Sequence, residues 1–565
     1  MNPLASTKCA GRLLMALAAI SSILLMAACG SGGPPAIPNP VGFNNGSLTG
    51  TYVFSSSGSD ANGNALAMAG AFTANGSGGI TGGMMDVVDP VLNCPIPTCN
   101  PPIVPPSPTA QSLTISSSYN VNTDGRGTVT LVTSAYGTFT LAFVLTSTSG
   151  GLVTEFDSNG TGSGTLDLQT PVTSLSQLAG PYAFSLAGPD SGGNPLATAG
   201  AFTLNSSGTS TVGVEDFNDD AVFISPGVPL TVSATTLGSG TGPGSTTLGT
   251  GTGFGQFFDF YPIDATHLKF IETDYVDFLS GDAFTQTGAS IPNGPMVFTM
   301  AGSSSAGPIA NPIADGGLMT SDGTGNFPTG LEDINDAGKV PGQGQFSGAL
   351  NVGLSGPAGT GRVFVDLTGF APATNWVVYP SAGGLLMLEM DTAAITTGVG
   401  YAQSGTSFTA PGNYGLNLSG ENAANGLVGP VGDIAQFAAT TAVAPASNMT
   451  GILDENSLIG GTLPSISLNP GTYTPDSPAT GRGLIVADTT GTVIGGLSLQ
   501  YYTINSSSAV FIEVDPTQVA AGTFEQQSTP GDGAMAQSHV AIVHPAVHPH
   551  AAKRSKQIDS KQSSK

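Results

Sequence analysis

The sequence predicts an all-β protein built as four tandem domains, each a β-barrel or β-sandwich of about eight antiparallel strands. Three observations predict it. The phrase Glu-x-Asp, six residues, Gly, four residues, Gln occurs four times. It reads Glu155/Asp157/Gly164/Gln169, Glu272/Asp274/Gly281/Gln286, Glu389/Asp391/Gly398/Gln403 and Glu513/Asp515/Gly522/Gln527. The glutamates are spaced by 117, 117 and 124 residues, the period of a domain-sized tandem repeat. Secondly, short alternating runs of Val, Ile, Thr, Phe and Tyr are broken by Gly, Asn, Asp and Ser clusters, the pattern of many short strands. Thirdly, no amphipathic helical pattern follows the leader. A chain that is 39% hydrophobic and 9% charged also lacks the composition of disorder.

The elements follow in order. Residues 1–28 read as a signal peptide: Lys8 and Arg12, the apolar run Leu13 to Met26, then Ala27-Ala28-Cys29. The run is short for a membrane span. Leu25-Met26-Ala27-Ala28-Cys29 resembles the lipobox of bacterial lipoproteins, with Met26 where Leu is usual. That resemblance implies lipidation of Cys29 (diacylglycerol on the thiol, cleavage before it, acylation of the new N-terminus) and membrane attachment through the lipid. Gly30 after the cysteine resembles the pattern sent to the outer membrane. Residues 29–45 read as anchor and Pro/Gly tether.

The β repeats are placed at 46–170, 174–288, 291–404 and 409–528. Each opens with Gly-x-Tyr-x-Phe or a relative, as in Gly50/Tyr52/Phe54 and Gly180/Tyr182/Phe184, and these aromatics are expected to share a core-facing side. A hairpin follows, ending in Gly-x-x-Asp at Gly83/Asp86, Gly213/Asp216, Gly330/Asp333 and Gly451/Asp454. Two or three middle strands lead to the pair carrying Glu-x-Asp and the closing Gln. The short connections favour an up-and-down barrel, similar in layout alone to lipocalins and avidins. Repeat one carries an insertion around Cys94 and Cys99, expected to form a loop disulfide in an exported protein. As a whole the array resembles Gly-rich, repeat-bearing bacterial surface lipoproteins. Residues 529–565 read as a disordered His/Lys-rich tail, suited to anionic envelope polymers.

Charge excludes one class of partner. Between Gly30 and Val540, five cations (Arg126, Lys269, Lys339, Arg362 and Arg482) face 36 of the 37 acidic residues. Such a field repels nucleic-acid phosphates. The acids raise three possibilities. Each Glu-x-Asp pair would set two carboxylates on one strand face, about 7 Å apart at Cα. That geometry suits a cation site or a glycosidase acid pair. Its fourfold recurrence favours a fold determinant, with Asp capping the following loop and Glu paired with a cation or a backbone donor. Arg126, Arg362 and Arg482 are the expected partners of Glu; repeat two has none. The Gly-x-x-Asp-x-Asn segments fail the EF-hand pattern and read as turns, with weak calcium binding left open. His267 is the only histidine of the array, so no His triad or zinc cluster can be assembled there.

These readings converge on a lipid-anchored cell-envelope protein at the bacterial outer membrane. Its expected role is structural or adhesion-like, without catalytic activity or resident cofactor and tolerant of losing one repeat. The alternative is a calycin-like module binding a small ligand or surface glycan, which would want an aromatic-lined cavity; Trp376 is the single tryptophan.

Overall fold

A computed structural model describes residues 41–530 apart from 90–109, 191, 251–254, 275–276, 305–310, 338–340, 370–372, 423–428, 443–445, 491, 493–494 and 529. Cys29, Cys94, Cys99, the signal segment and the tail therefore lie outside the described residues.

Alternation of large apolar with small or polar residues makes strands, and short turns make them antiparallel neighbours. The chain is all-β, with two short 3-10 turns and no α-helix among the described residues. Four sheets follow one another. The opening strand of each (Thr49–Asp60, Gly180–Pro189, Asn293–Ser303, Gly412–Asn422) pairs with the next strand on one side. On its other side it pairs with the closing strand of the same repeat. Barrels 2 and 3 are closed circuits of eight consecutive strands. Barrel 4 closes through Gly429–Ala439 beside Met449–Ser457, with Gly461–Ser467 as an extra edge strand. Barrel 1 is a nine-stranded sheet whose two ends meet only at the isolated bridges Gly79–Ser118 and Leu113–Thr133. The choice between barrel and sandwich is settled for the barrel.

Closure explains two of the repeated glycines. At Gly58, Gly188, Gly302 and Gly420 an added Cβ would stand 1.8–2.2 Å from a carbonyl oxygen of the closing strand or the turn leading into it. At the signature glycines Gly164, Gly281, Gly398 and Gly522 it would stand 1.8–2.1 Å from an oxygen of the opening strand. Two backbones pass too closely there for any side chain.

The interiors are filled. Tyr52 and Phe54 point inward as expected, stacking on Phe72 in a core that also takes in Phe43, which the sequence reading had left in the tether. Phe298, Phe346 and Trp376 pack edge to face in barrel 3, with centroids 5.4–5.9 Å apart. Trp376 is thus core rather than the wall of a ligand cavity.

The second strand of each repeat also buries its outward face. Ala67, Ala69 and Ala71 lie against Tyr261, Ile263 and Ile271 of barrel 2, and Ala197, Ala199 and Ala201 lie against Val377, Tyr379 and Leu388 of barrel 3. Ala301 and Ala314 meet Ile512 and Val519 of barrel 4, and Ile434 meets Ala142, Val144 and Leu152 of barrel 1. The last contact joins the end of the array to its beginning. Four head-to-tail interfaces of one kind therefore close into a ring. The four tandem domains are thus packed against one another, and a missing repeat would remove two of the seams.

Candidate functional site

The residues singled out by repetition gather at the seams. In each repeat the signature Glu is the last residue of a strand: Gly150–Glu155, His267–Glu272, Gly384–Glu389 and Ser508–Glu513. The Asp lies beyond it in the turn, not on the same strand face, because the strand has already ended. There it caps the turn. Asp157 accepts from the Asn159 and Thr140 amides, Asp274 from the Phe257 amide, Asp391 from the Ala393 amide and Asp515 from the Thr517 amide.

The glutamates go inward, to one end of their own barrel. Glu155, Glu272, Glu389 and Glu513 are all at most 1% exposed. Glu272 accepts from the Leu279 amide at 3.1 Å, Glu389 from Thr396 Oγ1 at 2.7 Å and Glu513 from the Ser498 amide at 2.6 Å. Both Glu155 oxygens are buried without a hydrogen-bond partner. Burial, reinforced by the charge of the following Asp, holds all four carboxyls well above the ordinary range. Further inward acids share these ends. Glu215 in barrel 2 and Glu332 in barrel 3 are pushed up to about 8, chiefly by burial, and burial raises Asp315 and Asp433 as well. Among the described residues no cluster of three or more His, Cys, Asp or Glu has the spacing of a metal site.

The arginines do not pair with the glutamates. They reach back to the Gly-x-x-Asp residue of the preceding barrel, which stands in a strand facing the seam rather than in a turn. Asp216 receives Arg362 Nε at 2.7 Å and Nη2 at 2.5 Å, together with the Tyr379 hydroxyl. Asp333 receives Arg482 Nε at 2.8 Å and Nη2 at 2.7 Å and the Tyr502 hydroxyl at 2.6 Å. Asp454 receives Arg126 Nη1 at 2.8 Å. A buried carboxylate is tolerated when a forked guanidinium satisfies both oxygens. In seam 1–2, Asp86 receives the Tyr261 hydroxyl, at 2.7 Å, and no arginine among the described residues.

Two amides complete three of the joints, and one completes the fourth. Two residues past the seam aspartate, Asn218 Nδ2 donates to the carbonyls of Glu389, Asp391 and Ala394 in the next barrel. Asn335 does the same to Glu513, Asp515 and Gln518, and Asn456 to Glu155, Asp157 and Gly160. Val88 holds that position in barrel 1. The signature glutamine reaches forward: Gln169 to Pro262 O, Gln286 to Thr360 and Pro380 O, Gln403 to Thr480 and Thr503 O, and Gln527 to Asp124 and Leu145 O. Every position of the repeated phrase thus has a place in a turn, a barrel end, a strand crossing or a seam.

His267 is not isolated. Its Nε2 lies 2.7 Å from Asp282 Oδ1, which also takes Lys269 Nζ at 2.9 Å, and its ring stacks on Phe284. An open cleft of about 760 Å³ lies beside barrel 3, lined by Leu318, Thr329, Gln345, Phe346 and Ser347 and, across the seam, by Thr480. Sequence reading missed the seams. Their signal was the second strand: Gly429–Ala439 is buried at all its positions, and an apolar run without a polar alternate face is covered on both sides.

No family model matches the chain, and no curated protein matches it. Among solved structures it is similar to a transferrin-binding protein B variant from Haemophilus parasuis, at 10% identity and TM-score 0.16 over 67% of this chain and 83% of that one. It is also similar to the P pilus usher PapC translocation pore, at 8% identity and TM-score 0.11 over 84% and 98%. Likeness at these scores carries neither fold nor function.

Proposed function

We propose that the chain is a lipid-anchored scaffold of the bacterial cell envelope, held at the outer membrane through Cys29, with a structural or adhesion-like role and no catalysis. One observation carries this reading. The acids that would have served a catalytic or calcium site are used as buried barrel ends, turn caps and seam partners. What is left for partners is the outer surface of an acidic ring. The lipobox-like segment supplies the location, and the basic tail supplies a contact for anionic polymers. Fractionation tests the anchor: Cys29→Ala is expected to leave the membrane fraction, and unchanged fractionation would refute it. Deleting the whole coding region tests the role, with loss of adhesion or envelope integrity expected.

A second reading is favoured by the cleft beside barrel 3. Its described lining mixes hydroxyls and amides with methionine, leucine, proline and one aromatic and carries no charged side chain, which suits a neutral ligand with an apolar face, such as a glycan. Native mass spectrometry of the purified protein separates the two: a retained sugar-sized mass supports binding, and a bare chain supports the scaffold.

A further inference from the structure

The four seams are not equal. Three of them set an arginine from one barrel on an aspartate of the barrel before, and anchor the joint with an asparagine. Seam 1–2 has neither. The arginine position is identifiable by register: Arg482 lies opposite Tyr502, and in barrel 2 the residue opposite Tyr261 is Pro243, because Gly244 pairs with Phe260. The asparagine position is Val88.

What replaces the arginine is a second acid. Asp259, outward on the strand Gly255–Pro262, comes within hydrogen-bond reach of Asp86. Asp86 is fully buried, with one oxygen on the Tyr261 hydroxyl and the other without a partner among the hydrogen bonds of the ionised form. Two carboxyls so close cannot both ionise cheaply, so one proton shared between them completes the joint. Among the described residues no cation is available to relieve them. Lys269, on the facing strand of barrel 2, is committed to Asp282, whose same oxygen also meets His267. The other acid on barrel 1 near this face is Asp167, paired across the strand from Val53. A void of about 20 Å³ opens between Ser57 and Leu66 on one side and Ala187, Pro189 and Phe278 on the other.

We propose that seam 1–2 is the gate of the ring, closed while Asp86 and Asp259 share a proton and released when that proton is lost, with the three arginine seams holding the remaining barrels as an arc. Burial and the neighbouring acid push Asp86 up to about 8, and burial pushes Asp259 up to about 6. The sign is fixed by these directions. A carboxyl raised in the closed state favours closure fully below its ordinary value near 4 and loses that contribution as pH rises through about 6 to about 8.

Each seam carries a backbone hydrogen bond that reports its opening: Thr170 N to Ile263 O across seam 1–2, and Ser404 N to Ile504 O across seam 3–4. Hydrogen exchange of the full chain, read as the ratio of protection at Thr170 to that at Ser404 in one sample, cancels the intrinsic pH dependence. The ratio is expected to fall at least tenfold between pH 6 and pH 9. Asp86→Asn, which cannot ionise, is expected to abolish the fall, and Pro243→Arg, which installs the missing cation, is expected to do the same. A ratio constant from pH 6 to pH 9 in the unaltered chain would overturn the proposal, as would a fall that persists undiminished in Asp86→Asn.

Discussion

Replacing Asn335 by Ala removes one side chain that holds barrel 3 to barrel 4. Its Nδ2 group faces the carbonyls of Glu513 at 2.8 Å, Asp515 at 3.0 Å and Gln518 at 2.8 Å. Two N–H groups serve three acceptors, so two good hydrogen bonds are lost, about 1 kcal/mol net each. Asn335 is 1% exposed, so water does not readily replace it. A carbonyl left buried and unpaired adds about 1–3 kcal/mol. The sum is about 3–5 kcal/mol, or roughly a 10²- to 4 × 10³-fold shift toward the open seam, since 1.4 kcal/mol is tenfold. Hydrogen exchange at the Ser404 amide is expected to accelerate by that factor, while the Thr170 amide of the distant seam changes little. Asn335→Asp is expected to be worse than Ala, because it points a second acceptor at three carbonyl oxygens. If Asn335→Ala shifts Ser404 exchange less than about fivefold, the seam does not depend on this amide. If Asn335→Asp exchanges as slowly as the parent, the donor geometry is wrong.

Three further predictions follow from the barrels themselves. Gly398→Ala places a Cβ 2.0 Å from Thr299 O where barrel 3 closes, and is expected to cost about 3 kcal/mol or more in urea unfolding; an unchanged midpoint would contradict the crossing. Glu332, pushed up to about 8 in the folded chain, contributes stability that is full below its ordinary value near 4.5 and fades as pH rises through about 8. The melting temperature is therefore expected to fall from pH 5 to pH 9, and less steeply in Glu332→Gln; parallel curves would show that the carboxyl is already ionised. Calcium followed by chelator is expected to leave the melt of the full chain unchanged, since the signature glutamates are buried inside their barrels and the aspartates are bound to amides. A rise of several degrees would make them ligands.

Much of this was legible in the sequence, for physical reasons that differ by element. Strands and domain period could be read because alternation and repetition are local. Tyr52 and Phe54 declared an inward face, and Asp157 and its three counterparts declared a turn. Where the Glu side chain goes was not legible, since a residue at a strand end can face inward or outward with the same neighbours in sequence. The arginine partner was misassigned for a related reason. Arg362 and Asp216 are 146 residues apart, and nothing local says that the nearest acid in space belongs to the preceding repeat. Ring closure has no local signature at all. It depends on the rotation between successive barrels returning the fourth to the first, which the paired use of Asn456 on Glu155 and Gln527 on Asp124 establishes only in three dimensions.

The meeting of the first and last barrels has a mechanical consequence. Gly42 N donates to Thr123 O at 3.0 Å, while Gln527 Nε2 donates to Asp124 O and Ser528 N to Thr146 O at 2.8 Å. The chain thus enters and leaves the ring within a few residues of the same loop. A pull between residues 41 and 528 would not stretch the barrels in series. It passes first through the short path across seam 4–1, peeling Gln527 and Ser528 from barrel 1 before any strand is unzipped. Rupture there lengthens the molecule in one step, from a closed circle to an arc whose barrels remain folded and linked.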